Sequence, residues 1–275
     1  MDSPRFYTAD GDPVPAVTTD EMREVDRVAV EEFGLSIRQM MEHAGRTLAA
    51  VVLDTGATRV TVFAGRGGNG GGALACARHL ATRGRLDRVI CSRPRDAFSG
   101  APARQLRVLE RMAVPIQFVD SPPSSTATAA TSTEPTSSST SSSSSTPTST
   151  STSAPSPETD CCVDGLIGYG LDGSPRAVDA NLIETLNACD AHTVSLDVPS
   201  GVDATTGFMP DAGVDPQRIL TLALPKAGLA DYASDPRRLE LADIGIPAAV
   251  YDETSVSYHH PFGEAFCVPL IAADD

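Results

Sequence analysis

Between Arg59 and Leu80 the chain passes from the β-branched stretch Val60-Thr61-Val62-Phe63, through six glycines in the eight positions from 65 to 72, into the apolar-periodic segment Ala73-Leu74-Ala75-Cys76-Ala77. That order reads as strand, glycine loop and helix, and it restricts the fold to the α/β classes. Glycines there let the backbone approach a ligand without Cβ atoms in the way, and the N–H groups opening the helix would face an anion such as a pyrophosphate. A glycine-rich turn with no ligand is the plainer alternative, because an isolated glycine fingerprint is a weak signal.

The same alternation continues on both sides. Thr18-Thr19-Asp20-Glu21 fits a capping box and opens a helix over about 19–33; Ser36 to Gln39 offers a second box for a helix to about 54. The glycine loop leads to a helix over about 71–83, a strand at 88–91, a helix near 103–112 and a strand at 116–119. Further on, strands are expected at 161–167, 193–197, 219–224 and 239–244, with a helix near 177–189. The pattern predicts a mostly parallel sheet covered by helices. Between about 121 and 158 the composition collapses to Ser, Thr, Pro and Ala, too polar to bury a core, and reads as a disordered insertion in a surface loop. The expectation is therefore one domain over 1–250, interrupted by that insertion, followed by an acidic tail over 251–275.

Charge narrows the partners. The net charge is −15, with 36 acidic against 21 basic residues, which disfavours a nucleic-acid surface that needs clustered cations. Of the basic residues only Lys226 is a lysine. An acidic, lysine-poor surface suits a halophilic protein; an arginine-biased, GC-rich genome is the competing explanation. The six cysteines show no CxxC pair, and the five histidines have no zinc-site spacing. No secretory pattern opens the chain and no apolar run approaches a membrane span, so a cytoplasmic location away from membranes is expected.

Four segments fall where strands should end: Gly65 to Gly72, Asp164 to Gly170, Asp197-Val198-Pro199-Ser200-Gly201 and Leu224-Pro225-Lys226-Ala227-Gly228. In an open α/β sheet such ends converge on one rim. Asp164, Asp197, the Asn69 amide and the Ser200 hydroxyl would then form a set of hard oxygen donors suited to an alkali or alkaline-earth cation. Each residue alone could be a turn former. Asp197 reads as an acid/base or as a cap for the turn after it; Lys226 reads as a complement to a nucleotide or site carboxylate, or as half of a buried ion pair.

In order and wording these motifs resemble the YjeF N-terminal family, the NAD(P)HX epimerases. The opening segment with Glu21-Met22, Asp26 and Met41-Glu42-His43-Ala44-Gly45 is similar to the family's first helices and M-E-x-A-G signature. GRGGNGGGALACARHL resembles G-x-G-N-N-G-G-D-G-L-x-A-A-R-x-L, VDGLIGYGLDG resembles D-A-x-F-G-T-G-L, SLDVPSGVDATTG resembles D-I-P-S-G-x-x-x-x-x-G, and LALPKAGL resembles P-K-x-G-L. The resemblance implies a Rossmann-like three-layer α/β/α sandwich. It implies an isomerase that interconverts the R and S epimers of NADH or NADPH hydrated at C6 of the nicotinamide ring, a nucleotide repair step whose S product goes to a separate ATP- or ADP-dependent dehydratase. It places K+ on Asn69, Asp164 and Ser200. The hydrated nucleotide is placed on Gly68, Asn69, Gly70, Gly71 and Gly72, on Gly168, Tyr169, Gly170, Leu171, Asp172, Gly173 and Ser174, and on Asp197. Asp197 is the expected acid/base, with Asp164 second, and a homodimer is implied. Two positions depart from the family wording: Gly68 stands for its first amide and Gly72 for its loop carboxylate, which implies impaired turnover or, alternatively, a nucleotide-binding or scaffold protein on the same fold. The resemblance does not extend to a kinase-like dehydratase segment, so the ATP-dependent step is expected elsewhere.

Overall fold

The computed structural model describes residues 5–119, 158–235 and 237–272. The Ser/Thr-rich stretch expected to be disordered lies almost wholly outside them. A ten-stranded sheet runs in the order β2-β1-β10-β9-β8-β7-β6-β3-β4-β5. Its parallel part comprises β3 (Val60–Ala64), β4 (Leu86–Cys91), β5 (Ile116–Phe118), β6 (Cys161–Gly165), β7 (His192–Leu196), β8 (Arg218–Leu222) and β9 (Leu239–Ala242). Three antiparallel strands extend one edge: β10 (Cys267–Ala272) on β9, β1 (Arg5–Thr8) on β10, and β2 (Pro13–Pro15) on β1.

Strands β3 and β6 are buried along their whole length, as parallel strands covered on both faces must be. Their side chains alternate between two cores. Val60, Val62, Ala64, Cys161 and Val163 join the larger cluster with residues of α1 (Thr19–Glu31), α2 (Ile37–Asp54), α3 (Gly68–Ala81) and α4 (Gly100–Arg111). Phe63, Ile90 and Cys162 face the other way, against Val178, Leu182, Ile183 and Leu186 of α5 (Ala177–Asn187). A helix–sheet–helix sandwich results, the fold expected from the resemblance. Both N-terminal capping boxes form as read, with Thr18 paired to Glu21 and Ser36 to Gln39, each cap worth about 1 kcal/mol.

Three expectations change. The helix after the glycine segment starts at Gly68, not at about 71, so most of the glycines lie inside the first turns of α3. Strands β1, β2 and β10 are not among the expected strands: β1 and β2 are only four and three residues long, and β10 has the irregular burial pattern of mostly half-buried positions around one buried residue, Leu270. Finally, the stretch expected as an acidic tail carries packed structure over its described residues: Tyr251 and Leu270 are buried, a short helix α6 spans Ala248–Asp252, and β10 bridges the parallel sheet to β1. The unit described therefore extends beyond residue 250.

Strand β3 is followed in the chain by β4 on one side, yet is flanked on the other by β6, and succession then runs outward through β7, β8 and β9. The strand order thus reverses between β3 and β6. A crevice opens beyond the carboxyl ends at such a point, the usual ligand position in open α/β sheets.

Candidate active site

A cavity of about 840 Å3 occupies that crevice, within the range of small-molecule sites. One wall is the end of β3 and the start of α3, from Gly65 to Asn69 together with Gly72; the other is the loop after β6 and the ends of β7 and β8; Met22, Asp26 and Val30 of α1 and Met40, Met41 and Ala44 of α2 close it from the side.

The glycines divide by what surrounds them. A Cβ on Gly65 would lie 1.9 Å from the Leu166 carbonyl oxygen, and one on Gly70 would lie 1.7 Å from the Gly65 carbonyl oxygen. Gly71 is closed by the Met41 thioether and Gly72 by Leu196 Cδ2, 2.8 Å from its Cβ position. These four let α3 sit against β3, β6 and α2. Gly67 and Gly68 instead face open space. Gly67, at the N-cap, offers no side chain to the first N–H groups of α3, which leaves these partial positive charges available to an anion.

Of the residues expected to hold substrate, Gly68, Asn69, Gly72, Gly168, Tyr169, Gly170, Leu171, Asp172, Ser174 and Asp197 line the cavity. Gly70, Gly71 and Gly173 do not. Asp164 and Ser200 lie under its floor. Fully buried, Asp164 accepts hydrogen bonds at Oδ1 from the Leu166 N–H (3.2 Å) and Ser200 Oγ (2.6 Å), and at Oδ2 from Ser195 Oγ (2.8 Å) and the Ser200 N–H (2.9 Å). Burial pushes its carboxyl above the ordinary carboxylate range, against the pull of those donors. The Ile167 N–H donates to Ser200 Oγ at 2.9 Å, tying the loop after β6 to the turn after β7.

Asn69 packs against Gly168 in the loop after β6. A Cβ on Gly168 would touch its amide at 3.1 Å, yet Asn69 Oδ1 and Nδ2 are both buried with no hydrogen-bond partner. An orphaned buried amide costs about 1–3 kcal/mol unless something outside the protein satisfies it. A single carboxylate with neutral oxygens, and no cluster of three or more His, Cys, Asp or Glu among the described residues, is a donor set fitted to a weakly charged, oxygen-loving cation, not to zinc.

Asp197 leaves the end of β7 with φ +67°, a left-handed conformation that Asp tolerates better than most residues. The turn aims its carboxylate along the cavity wall. Its Oδ1 accepts a short hydrogen bond from Lys226 Nζ, and its Oδ2 accepts from the Tyr169 N–H at 3.2 Å. Lys226 is 1% exposed and also donates to the Leu222 carbonyl at 2.8 Å. Both readings of Lys226 thus meet in one side chain, since it is buried, ion-paired and part of the cavity wall. For Asp197, the turn-cap alternative lacks support: no hydrogen bond from the Pro199-Ser200-Gly201 turn to its carboxylate is found, and the turn's Ser200 donates to Asp164 instead.

Motif reading placed Tyr169 on the nucleotide but assigned no role to Asp26 or Arg93. The Tyr169 hydroxyl donates a short hydrogen bond to Asp26 Oδ2. Burial raises the Asp26 carboxyl above its ordinary value, opposed by Tyr169 and Lys226 and assisted by Asp197; burial and the Asp26 charge push the Tyr169 phenol up. The available signal was Asp26 at four-residue spacing between Met22 and Val30, an acid within an apolar stripe. Arg93 also lines the cavity and is clamped by Asp179 at 2.5 and 3.0 Å.

The family described as YjeF-related protein N-terminus matches residues 37–228. Among curated proteins, the chain is 39% identical to an NAD(P)H-hydrate epimerase of Dehalogenimonas lykanthroporepellens, over 98% of both chains. It is 27% identical to an NAD(P)H-hydrate epimerase of Rhodopirellula baltica, over 88% of this chain and 89% of that one. A bifunctional NAD(P)H-hydrate repair enzyme of Salinibacter ruber is 32% identical over 88% of this chain, which spans 42% of that protein. The crystal structure of yeast ynu0 superposes with a TM-score of 0.70 at 20% identity, over 93% of this chain and 100% of that one, and shares the fold.

Proposed function

The chain belongs to the YjeF-related protein N-terminus family, and on that footing we propose that it is an isomerase that interconverts the R and S forms of hydrated NADH and NADPH at C6 of the nicotinamide ring. The observation that carries the reading is a buried carboxylate, Asp197, ion-paired to Lys226 on the wall of a nucleotide-sized cavity at the strand-order switch. Inverting C6 requires opening and reclosing the ring, or losing and regaining the hydroxyl; either route moves a proton that a positioned carboxylate can carry. Lys226, itself anchored on the Leu222 carbonyl, fixes the rotamer of Asp197 through the hydrogen bond to Oδ1. The nucleotide phosphates belong at the open start of α3, beside Gly67 and Gly68.

Asn69, Asp164 and Ser200 would hold K+ beneath the nucleotide, where the ion supplies positive charge near the phosphates. The orphaned Asn69 amide supports that assignment. We place Gly68, Asn69, Gly72, Gly168 to Asp172, Ser174 and Asp197 in contact with substrate, and Gly70, Gly71 and Gly173 behind that surface. Position 72, where a loop carboxylate was expected from the family wording, is closed by Leu196, and no observation favours a non-catalytic scaffold. The chain is further proposed to be a single domain, cytoplasmic, homodimeric and adapted to high salt, with a dehydratase consuming its S product; the net charge of −15 supports the salt adaptation. Among the described residues no helix is long and apolar enough to cross a membrane.

The test is to supply R-NADHX to the full chain with K+ at high salt and to follow the S epimer, with Asp197→Asn in parallel. The native chain should exceed the spontaneous rate, and the variant should lose about 100-fold or more of that acceleration. An unaccelerated reaction with the native chain overturns the assignment.

A further inference from the structure

Epimerisation through ring opening needs two proton-transfer groups: one takes the C6 hydroxyl proton while another delivers a proton to N1 as the C6–N1 bond breaks. Asp197, hydrogen-bonded at Oδ1 by the Lys226 ammonium, can do only the first at that moment. A second carboxylate borders the same cavity. Asp26 sits on α1, and its Oδ2 accepts from the hydroxyl of Tyr169, the residue whose own backbone N–H donates to Asp197 and whose ring lies 5.6 Å from Lys226 Nζ. Four groups from α1 and from the loops after β6, β7 and β8 therefore form one connected cluster, and all four line the cavity.

The position of α1 is fixed for this purpose. Val17 forms a parallel bridge with Lys226, through Val17 N to the Pro225 carbonyl and Ala227 N to the Val17 carbonyl, each 2.9 Å. The Thr19 N–H donates to Thr205 Oγ1 at 3.0 Å, and Thr19 Oγ1 reaches the Tyr169 carbonyl. The segment that carries Lys226 thus also anchors the helix that carries Asp26.

Resting on the epimerase reading, we propose that Tyr169 is the second proton-transfer group of the reaction and that Asp26, behind it, positions the phenol and resupplies its proton. In opening, Asp197 takes the C6 hydroxyl proton, the O–H electron pair becomes the second C–O bond of the aldehyde, and the C6–N1 pair goes to N1. N1 takes the Tyr169 proton, and Tyr169 takes one from protonated Asp26. After rotation about C5–C6, N1 adds to the other face of the carbonyl, Asp197 returns its proton to oxygen, and N1 returns its proton through Tyr169 to Asp26. No proton or electron is gained or lost over the cycle. Burial raises the Asp26 carboxyl above its ordinary value, and once protonated Asp26 donates to the phenol oxygen, the reverse of the hydrogen bond seen in the structure, which frees the phenol proton for N1. The charged and titratable groups acting on the pair are Lys226, Asp197, Arg23 on α1 and Tyr251 on α6.

Tyr169→Phe removes the phenol proton while keeping the ring, and Asp26→Asn keeps an acceptor for the phenol while removing the carboxyl proton. Rates of R-to-S NADHX conversion, corrected for the spontaneous reaction, are measured against pH with each full-length variant, alongside thermal melting. The expected result is a fall in kcat of about 100-fold or more for Tyr169→Phe and at least about tenfold for Asp26→Asn, with KM within about threefold. The descending alkaline limb of the native profile should flatten in Asp26→Asn, a change that a structural role would not produce. An active native chain with Tyr169→Phe within threefold of it in kcat, or an Asp26→Asn profile of native shape, overturns this inference alone. An inactive native chain overturns the epimerase reading and this inference together.

Discussion

Along the wall formed by β3 and α3, the tight contacts are made where side chains are missing, and the tightest is with backbone: a methyl at Gly70 would meet the Gly65 carbonyl oxygen at 1.7 Å. Along the opposite side they are polar side chain on polar side chain, the Lys226–Asp197 ion pair and the Tyr169–Asp26 hydrogen bond. The first wall derives its shape from absent side chains, the second its chemistry from buried ones. A glycine-rich segment beside a nucleotide-sized cavity invites the idea that every glycine touches the ligand, yet four of the six serve packing among β3, β6, β7, α2 and α3, and of those four only Gly65 and Gly72 also border the cavity.

Three substitutions press on that division, in order of expected effect. Lys226→Met leaves Asp197 buried and unpaired, and chemical denaturation should show a loss of about 3–5 kcal/mol along with the loss of turnover. A variant that melts like the native chain would mean that water reaches Asp197 and that this wall is less dry than its burial indicates. Gly70→Ala, chemically the mildest change possible, should cost about 1–3 kcal/mol or prevent folding, because the obstacle is a backbone carbonyl that no rotamer change can move. Native stability there would show that the start of α3 is free to shift. Gly68→Ala should alter stability by less than about 0.5 kcal/mol, since its Cβ meets nothing within 4 Å. Any effect should fall on KM for the hydrated nucleotide, which separates a ligand-facing glycine from a packing one two residues away.

The charged wall was only partly legible in the motifs. Asp197 and Lys226 stood out because each lies in a short, strongly worded segment, and Lys226 is the chain's one lysine. That they form a pair is not encoded in either segment: it follows from β7 and β8 lying side by side and from the +67° turn at Asp197. Asp26 carried less signal still. Its partner Tyr169 lies 143 residues away, and on its own helix it looks like one more acid on a protein rich in acids.

The sequence by itself determined the alternation of strands and helices, both capping boxes and the placement of four motifs at strand ends. All of these depend on local rules: side-chain period, capping chemistry and glycine's backbone freedom act within a few residues. Tertiary structure alone decided the antiparallel extension by β1, β2 and β10, the division of glycines into packing and ligand-facing positions, the orphaned Asn69 amide, and the link from Asp26 through Tyr169 to Asp197 and Lys226. Each of these is a contact between segments far apart in the chain. It exists only once the strand order reverses between β3 and β6 and draws four loops and a helix to the same opening.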